Sequence, residues 1–387
     1  MNILLISSDN NKTSGAFLCL VELAERLQRV KKHRVVVVLS KSGDGQLLLD
    51  ERDIRYILVP MLSWVVFKNI SFTSIGKYFI KCMGLIFNIY ALIILCWIIY
   101  NYKIDIIHNN TIFTYVGALA AHIMNKPIVW HIRENLSEAF YSKIIFQNWG
   151  YKLINSSDQV IFTSKNLQDK YIGICHSKSR VIYDGISLKF YNNHSILLNP
   201  IVKIAIIGHL NTNKNQKLLI EVLGDLYKKG VTNFETSIIG DGELINELKV
   251  LVSKLDLEKH VIFKGRRKEI DKILLSTDIL VSTSISEAFG RTLAEGMLSG
   301  CLVISANGDY NAADELIDDK STGLLFEIND KSKLTEILYT ILTSLDHSIY
   351  QQIALRGQRK SHAKFTEDIS FKNLIDVYES ILKGRTT

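Results

Sequence analysis

Short apolar runs rich in β-branched residues alternate with stretches of helical period along most of the chain. A parallel sheet with crossover helices leaves that pattern in a sequence. Seven runs in the first half are predicted as strands: 3–7, 34–39, 56–59, 104–108, 128–131, 159–163 and 180–183. A second series predicts strands over 203–208, 235–240, 261–264, 278–282, 302–305 and 323–326. Between the two lie the turn Asp184-Gly185-Ile186-Ser187 and a polar stretch ending at Asn199-Pro200. The chain has only three prolines, so Pro200 ahead of a fresh strand marks a boundary. Two Rossmann-like domains are expected, residues 1–190 and 201–365, joined by 191–200. Ligands in such sheets gather at the carboxyl ends of the strands, here in a cleft between the domains. The closing stretch Phe371–Leu382 is predicted helical, with Ile375, Tyr378 and Ile381 on one face.

One helical stretch lacks a polar face. Cys82 to Tyr100 holds a single plainly polar residue, Asn88, and Lys77, Lys81 and Lys103 flank it. Its length approaches the roughly 20 residues that span a bilayer. The strands on either side, 56–59 and 104–108, belong in one sheet, which a single crossing would tear apart. A helix over about 75–101 that is buried in the domain, or that lies in a membrane interface, satisfies both observations. The flanking lysines favour docking on an anionic leaflet.

Composition narrows the class. At 387 residues with 47% hydrophobic and 22% charged positions, the chain is globular and large enough for two cores. Cys19, Cys82, Cys96, Cys175 and Cys301 are scattered, which argues for a reducing compartment and against a zinc site or disulfide framework. The opening Met1–Ser8 is too short and too soon polar for a signal peptide, so a cytoplasmic protein at the inner face of the membrane is expected. Of the net charge of +7, residues 1–190 carry +9 (22 Lys and Arg against 13 Asp and Glu), and the remainder −2 (24 against 26). The basic half suits an anionic membrane or a phosphorylated acceptor. No zinc finger, aromatic RNA-binding motif or Arg-rich arm accompanies it, so no nucleic-acid partner is expected.

The densest chemistry lies between Glu287 and Glu295, which bracket Ala288-Phe289-Gly290-Arg291-Thr292-Leu293-Ala294. The first carboxylate follows a strand and the second sits inside the next helix, with Leu293 and Met297 on its apolar face. Gly290 lets backbone approach a ligand, and the amides of Arg291, Thr292 and Leu293 open the helix toward an anion. Carboxylates on both sides of an anion hole suit a ligand with neutral hydroxyls at each end. A sugar joined to a nucleoside diphosphate has that layout. Gly208-His209-Leu210-Asn211-Thr212-Asn213-Lys214-Asn215 follows the first strand of the second domain, and a glycine with a point-charge lysine suits a diphosphate. Gly240-Asp241-Gly242 lacks the full dinucleotide fingerprint, so no cofactor is expected.

The stretch Glu287-Ala-Phe-Gly-Arg-Thr-Leu-Ala-Glu295 and its continuation to Ser305 closely resemble the donor motif of family 4 retaining glycosyltransferases. The resemblance covers nearly the whole chain and is strongest over about 203–327. It implies a GT-B fold of two Rossmann-like domains, with the last helix (366–387) crossing back to the N-terminal domain. It implies that Lys214 binds the donor phosphate, that Glu287 orients the transferred sugar and that Glu295 holds the ribose diol. It also places Gly208, Phe289, Gly290, Arg291, Thr292 and Leu293 at the donor, Gly265 to Arg267 at the nucleotide base, and Gly15 at a phosphate-facing helix start. His209 stands where the family often has arginine, leaving the second cation to protonated His209, Arg291 or a nearby basic residue. Asn215 stands where glycine is usual.

By the same resemblance, His131 matches the N-domain histidine near the sugar, a catalytic group. Arg133 beside it, and Asn110 in the strand end His108-Asn109-Asn110-Thr111, are read as acceptor-side. The expected activity is transfer of a sugar from a nucleoside diphosphate, UDP among the candidates, to a hydroxyl of a lipid-linked or glycan acceptor. No Asp-x-Asp pair stands in these loops, so metal-independent chemistry is expected. A sugar-nucleotide epimerase of the same fold and a non-catalytic nucleotide-sugar-binding scaffold are the alternatives.

Overall fold

The computed structural model describes residues 1–67, 75–139, 141–171, 173–174, 178–191 and 200–386. Most of the expected linker and Cys175 lie outside the described residues. The chain forms two compact units, one of Met1–Tyr183 with Ser370–Thr387, the other of Asp184–Ile369.

Unit 1 is built on a seven-stranded, all-parallel sheet. Its strands are β1 (Asn2–Ser7), β2 (Arg34–Leu39), β3 (Tyr56–Leu58), β5 (Ile106–Asn109), β6 (Ile128–Ile132), β8 (Gln159–Phe162) and β9 (Ser179–Val181), in the order β3-β2-β1-β5-β6-β8-β9. Each matches a predicted run to within two residues. At β5 the strand starts late because Ile104 still caps the preceding helix, its N–H bonded to the Ile99 carbonyl (3.0 Å) behind left-handed Lys103. Sequence reading missed the antiparallel ribbon of β4 (Val65–Phe67) and β7 (Ser142–Ile144). These strands are three residues each and far apart in the chain, so no local period announces them.

The helix Ile75–Asn101 is present, and β3 and β5 on either side of it share the sheet. Its buried face includes Ala91, Leu95, Ile98 and Ile99. Asn88 also turns inward, its side chain bonded to both backbone groups of Leu62 and to the Tyr115 hydroxyl. The outward face is apolar: Phe87, Tyr90, Ile93, Trp97 and Tyr100 form one stripe, with Tyr100 75% exposed. Among the described residues, no helix is long and apolar enough to cross a membrane.

The last helix, Glu367–Thr386, packs Phe371, Leu374, Ile375, Val377 and Tyr378 into the unit 1 core, against Ile3, Leu20, Val129 and Ile161. Unit 2 has a six-stranded parallel sheet of β10 (Val202–Ile207), β11 (Phe234–Ile239), β12 (Val261–Gly265), β13 (Ile279–Ser282), β14 (Leu302–Asn307) and β15 (Leu324–Glu327). The order is β12-β11-β10-β13-β14-β15. In each sheet the chain reverses direction across the sheet at the first strand, between β1 and β5 and between β10 and β13. Such switch points open a crevice at the strand ends, and the candidate loops follow those strands.

Candidate active site

In unit 2 the loop after β10 is stitched to the loop after β13. Ile285 N–H donates to the Asn213 carbonyl (2.8 Å), and the Asn213 side chain exchanges bonds with the Ser286 backbone at 3.0 Å each. The Thr283 hydroxyl lies 2.8 Å from the carbonyls of Lys214 and Asn215. Asn215 caps the following helix, Gln216–Lys228, in the left-handed region (φ 50°). Only glycine enters that region freely, and asparagine tolerates it best of the rest, which accounts for the residue found there. Lys214 is thereby aimed back over Gly208, where an added Cβ would meet the lysine's methylenes at an ordinary contact distance of 3.4–3.5 Å. Its ammonium pairs with the Glu287 carboxylate, both side chains about three-quarters buried.

Glu287 is held by its backbone. Its N–H donates to the Tyr310 carbonyl and its carbonyl accepts from Ala312, both at 3.0 Å. The turn between them is anchored by buried Asn311, whose amide donates to the Ser284 carbonyl (2.8 Å). Sequence reading did not find Asn311, since a single asparagine after a strand is ordinary loop punctuation. Gly290, at φ +90°, caps the eight-residue helix Arg291–Leu298 without any side-chain cap bond. The first-turn N–H groups of that helix have no partner within it. A small cavity is lined by Lys214, Ser282, Ser284, Glu287, Gly290 and Thr292, together with apolar residues that include Leu293.

Other predicted donor residues lie outside that lining. Phe289 is buried, its ring edge-on to Phe365. Glu295 is paired one helical turn back with Arg291 (3.0 Å). His209 meets Glu243 at 3.1 Å on the surface, and its carbonyl accepts from Gln216. Gly265 ends the edge strand β12, its carbonyl accepting from Gly240 N–H (3.0 Å), and exposed Arg267 follows in the loop.

In unit 1, the ends of β5 and β6 bring Asn110, His131 and Arg133 together. Arg133 Nε donates to Asn110 Oδ1 (3.1 Å), and Arg133 Nη2 sits 3.3 Å from His131 Nδ1. Asn110 is fully buried and its amide also donates to the Ala16 carbonyl (3.0 Å), so it positions Arg133. His131 is 3% exposed and its Nε2 has no partner among the described residues. Burial, then the Arg133 charge and His108, hold His131 well below the usual imidazole range. Gly15 begins the helix Gly15–Arg29, exposed, with nothing where a side chain would stand.

Three further groups belong to this cluster. Glu134 Oε2 accepts from the N–H groups of Ile112 (3.1 Å) and Arg133 (3.2 Å), tying the two loops together. Its burial raises the carboxyl to about 7 despite those bonds and the Arg133 charge. His108 Nδ1 lies 2.6 Å from the Tyr378 hydroxyl of the last helix, and burial lowers its imidazole to about 3.

Two parallel sheets, each carrying its polar residues at its switch point, are the halves of a GT-B glycosyltransferase, and solved structures agree. Anabaena HepE in complex with UDP-glucose superposes with a TM-score of 0.77 at 23% identity, over 98% of this chain and 100% of that one. The lipopolysaccharide outer core galactosyltransferase WaaB gives 0.72 at 17%, over 98% and 99%. The description "Glycosyl transferases group 1" matches residues 200–354 and "Glycosyltransferase Family 4" matches residues 13–190. The chain belongs to glycosyltransferase family 4.

Among curated relatives, the UDP-Gal:alpha-D-GlcNAc-diphosphoundecaprenol alpha-1,3-galactosyltransferase of Escherichia coli is 24% identical, over 84% of this chain and 87% of its own length. An N-acetylgalactosaminyltransferase of Campylobacter jejuni, whose name specifies a diphospho-undecaprenol substrate, is 28% identical over 49% and 52%. Against several such relatives the chain spans about half of their length.

Proposed function

We propose that this protein transfers a sugar, with retention, from a nucleoside diphosphate, of which UDP is the first candidate, to a hydroxyl of a saccharide carried on a lipid diphosphate. One observation carries the reading: Lys214 and Glu287 meet in the small cavity where the Arg291–Leu298 helix opens its amides. A diphosphate entering there takes over the Lys214 ammonium and the Gly290–Leu293 amides, and the released Glu287 carboxylate accepts from sugar hydroxyls. Fixed positive charge at the departing diphosphate is the electrostatic task that dominates such catalysis. The lysine and dipoles stand in for a cation, so the chemistry is read as metal-independent. Glu295 takes the ribose diol by exchanging its Arg291 partner. In unit 1, His131 and Arg133 offer donors to saccharide oxygens. The acceptor class is supported by the undecaprenol-linked substrates in the relatives' names.

Thermal-shift screening against nucleotide sugars tests the reading. A ligand at 100 times its Kd stabilises by about 2.7 kcal/mol, so one sugar nucleotide should raise the melting temperature and Glu287→Ala should abolish its turnover. No response to any sugar nucleotide sinks the proposal. Binding without transfer points to a scaffold, and interconversion of the free sugar nucleotide points to an epimerase.

Peripheral contact with the membrane belongs to the same reading. The stripe Phe87–Tyr100 offers aromatic side chains of the kind that settle at a bilayer interface, on the unit that carries the excess positive charge. The full chain is expected to float with vesicles containing anionic lipid, and Trp97→Glu with Tyr90→Glu to remain at the bottom of the gradient. Equal flotation of both, or of neither, removes this face as the docking surface.

A further inference from the structure

We infer that Arg133 locks His131 as the Nε2–H tautomer, so that His131 presents an N–H donor and cannot serve as the proton-accepting base of the reaction. A guanidinium has donors and no acceptor. With Arg133 Nη2 at 3.3 Å, His131 Nδ1 must present its lone pair, and the ring proton is left on Nε2. A second proton on Nδ1 would set N–H against N–H.

Arg133 cannot easily turn away. Its Nε is held by Asn110, which is held in turn by the Ala16 carbonyl, and its backbone N–H is held by Glu134. The groups facing the His131 ring reinforce the assignment. From β5 comes His108, ring centroids 5.4 Å apart, itself kept uncharged by burial and bonded to Tyr378 of the last helix. From the chain after β6 come the Arg133 charge and Glu134, whose raised carboxyl offsets that charge only in part near neutral pH, with Asp9 beyond it. Burial, the Arg133 charge and His108 all act against an imidazolium.

The outcome is a buried Nε2–H with no acceptor among the described residues. Buried donors are almost always satisfied, so this one awaits an oxygen from outside the chain. Under the proposed function that oxygen is a saccharide hydroxyl or the oxygen gaining charge as the glycosidic bond breaks, whereas the tautomer itself does not depend on that reading. Arg133 is a positioning residue here.

The experiment is nitrogen NMR of the full chain labelled at histidine, with His131→Gln identifying the signals. We expect Nδ1 to resonate as a bare pyridine-type nitrogen and Nε2 as a protonated pyrrole-type one, unchanged between about pH 5 and 8. Protonated Nδ1, or an imidazolium at neutral pH, overturns the inference even if the protein is a transferase. In Arg133→Met both tautomers and, toward acid, the imidazolium should appear. Transfer should fall by about tenfold to a hundredfold and gain an acid limb that wild type lacks. An Arg133→Met spectrum identical to wild type also overturns it. The wild-type spectrum decides alone if that variant does not fold, and it stands unchanged if no transferase activity is found.

Discussion

Lys214→Ala should lower the transfer rate by about 10²–10³-fold, or about 2.7–4 kcal/mol of transition-state stabilisation. Among the described residues, the ammonium is the one side-chain cation in the lining of the cavity, and the loop that carries it is held by Asn211 Oδ1 on the Lys214 N–H (2.9 Å) and by Thr283 on its carbonyl. No neighbouring side chain in that lining can replace it. Removing it does a second harm. Glu287 then keeps a carboxylate with no counter-charge beside an arriving dianion, so donor binding should weaken together with turnover. Two measurements separate these effects. Initial rates at saturating donor read the first, and titration of the nucleoside diphosphate alone reads the second. Because the pair acts as a unit, Lys214→Ala with Glu287→Gln should be no worse than the product of the single changes predicts, and in diphosphate binding should recover part of the loss. A Lys214→Ala protein with full donor affinity and full rate would remove the lysine from the mechanism.

Gly240→Ala should cost on the order of 3–5 kcal/mol of stability in unit 2. Gly240 follows β11 at φ +139°, and a Cβ there would lie 1.8 Å from the Gly208 carbonyl oxygen. The obstacle is backbone and cannot swing aside, and it is the root of the loop that carries Lys214. Gly208 N–H and Gly240 N–H are committed across the strand ends, to the carbonyls of Ile239 (2.9 Å) and Gly265 (3.0 Å). Gly265→Ala is the control. It also has positive φ (+64°), but a Cβ there meets nothing within 4 Å, so only the conformational cost of about 1–2 kcal/mol is expected. All four tryptophans, Trp64, Trp97, Trp130 and Trp149, lie in unit 1, so urea unfolding of these variants must be followed by circular dichroism. Equal losses for the two substitutions would refute the clash.

Much of the fold was legible because it rests on short-range patterns. Runs such as Val35–Leu39 and Ile204–Ile207 are apolar on both faces, the mark of a strand covered on both sides, and they fall in the two sheets. Gly290 before an apolar-faced helix announced a helix start that opens its amides, and the helix begins at Arg291. The unusual Asn215 turned out to be the residue that tolerates a left-handed turn. Phe289 is a different case. The resemblance places it at the donor, while its ring contact with Phe365, 76 positions on, is written in no local pattern.

The sequence by itself determined the two α/β series, the placement of the candidate loops after their strands, and the greasy helix with its single polar residue. Only the tertiary structure decided which loop meets which: Lys214 with Glu287, Asn311 beneath Glu287, Arg133 against His131, and Tyr378 on His108 across 270 residues. It also decided that Asn88 turns into the protein and leaves the aromatic stripe outside. The physical reason is range. Strand and helix periods are written in neighbouring residues, whereas the partner of a buried polar group is fixed by sheet order and by closure of long loops, which no local period encodes.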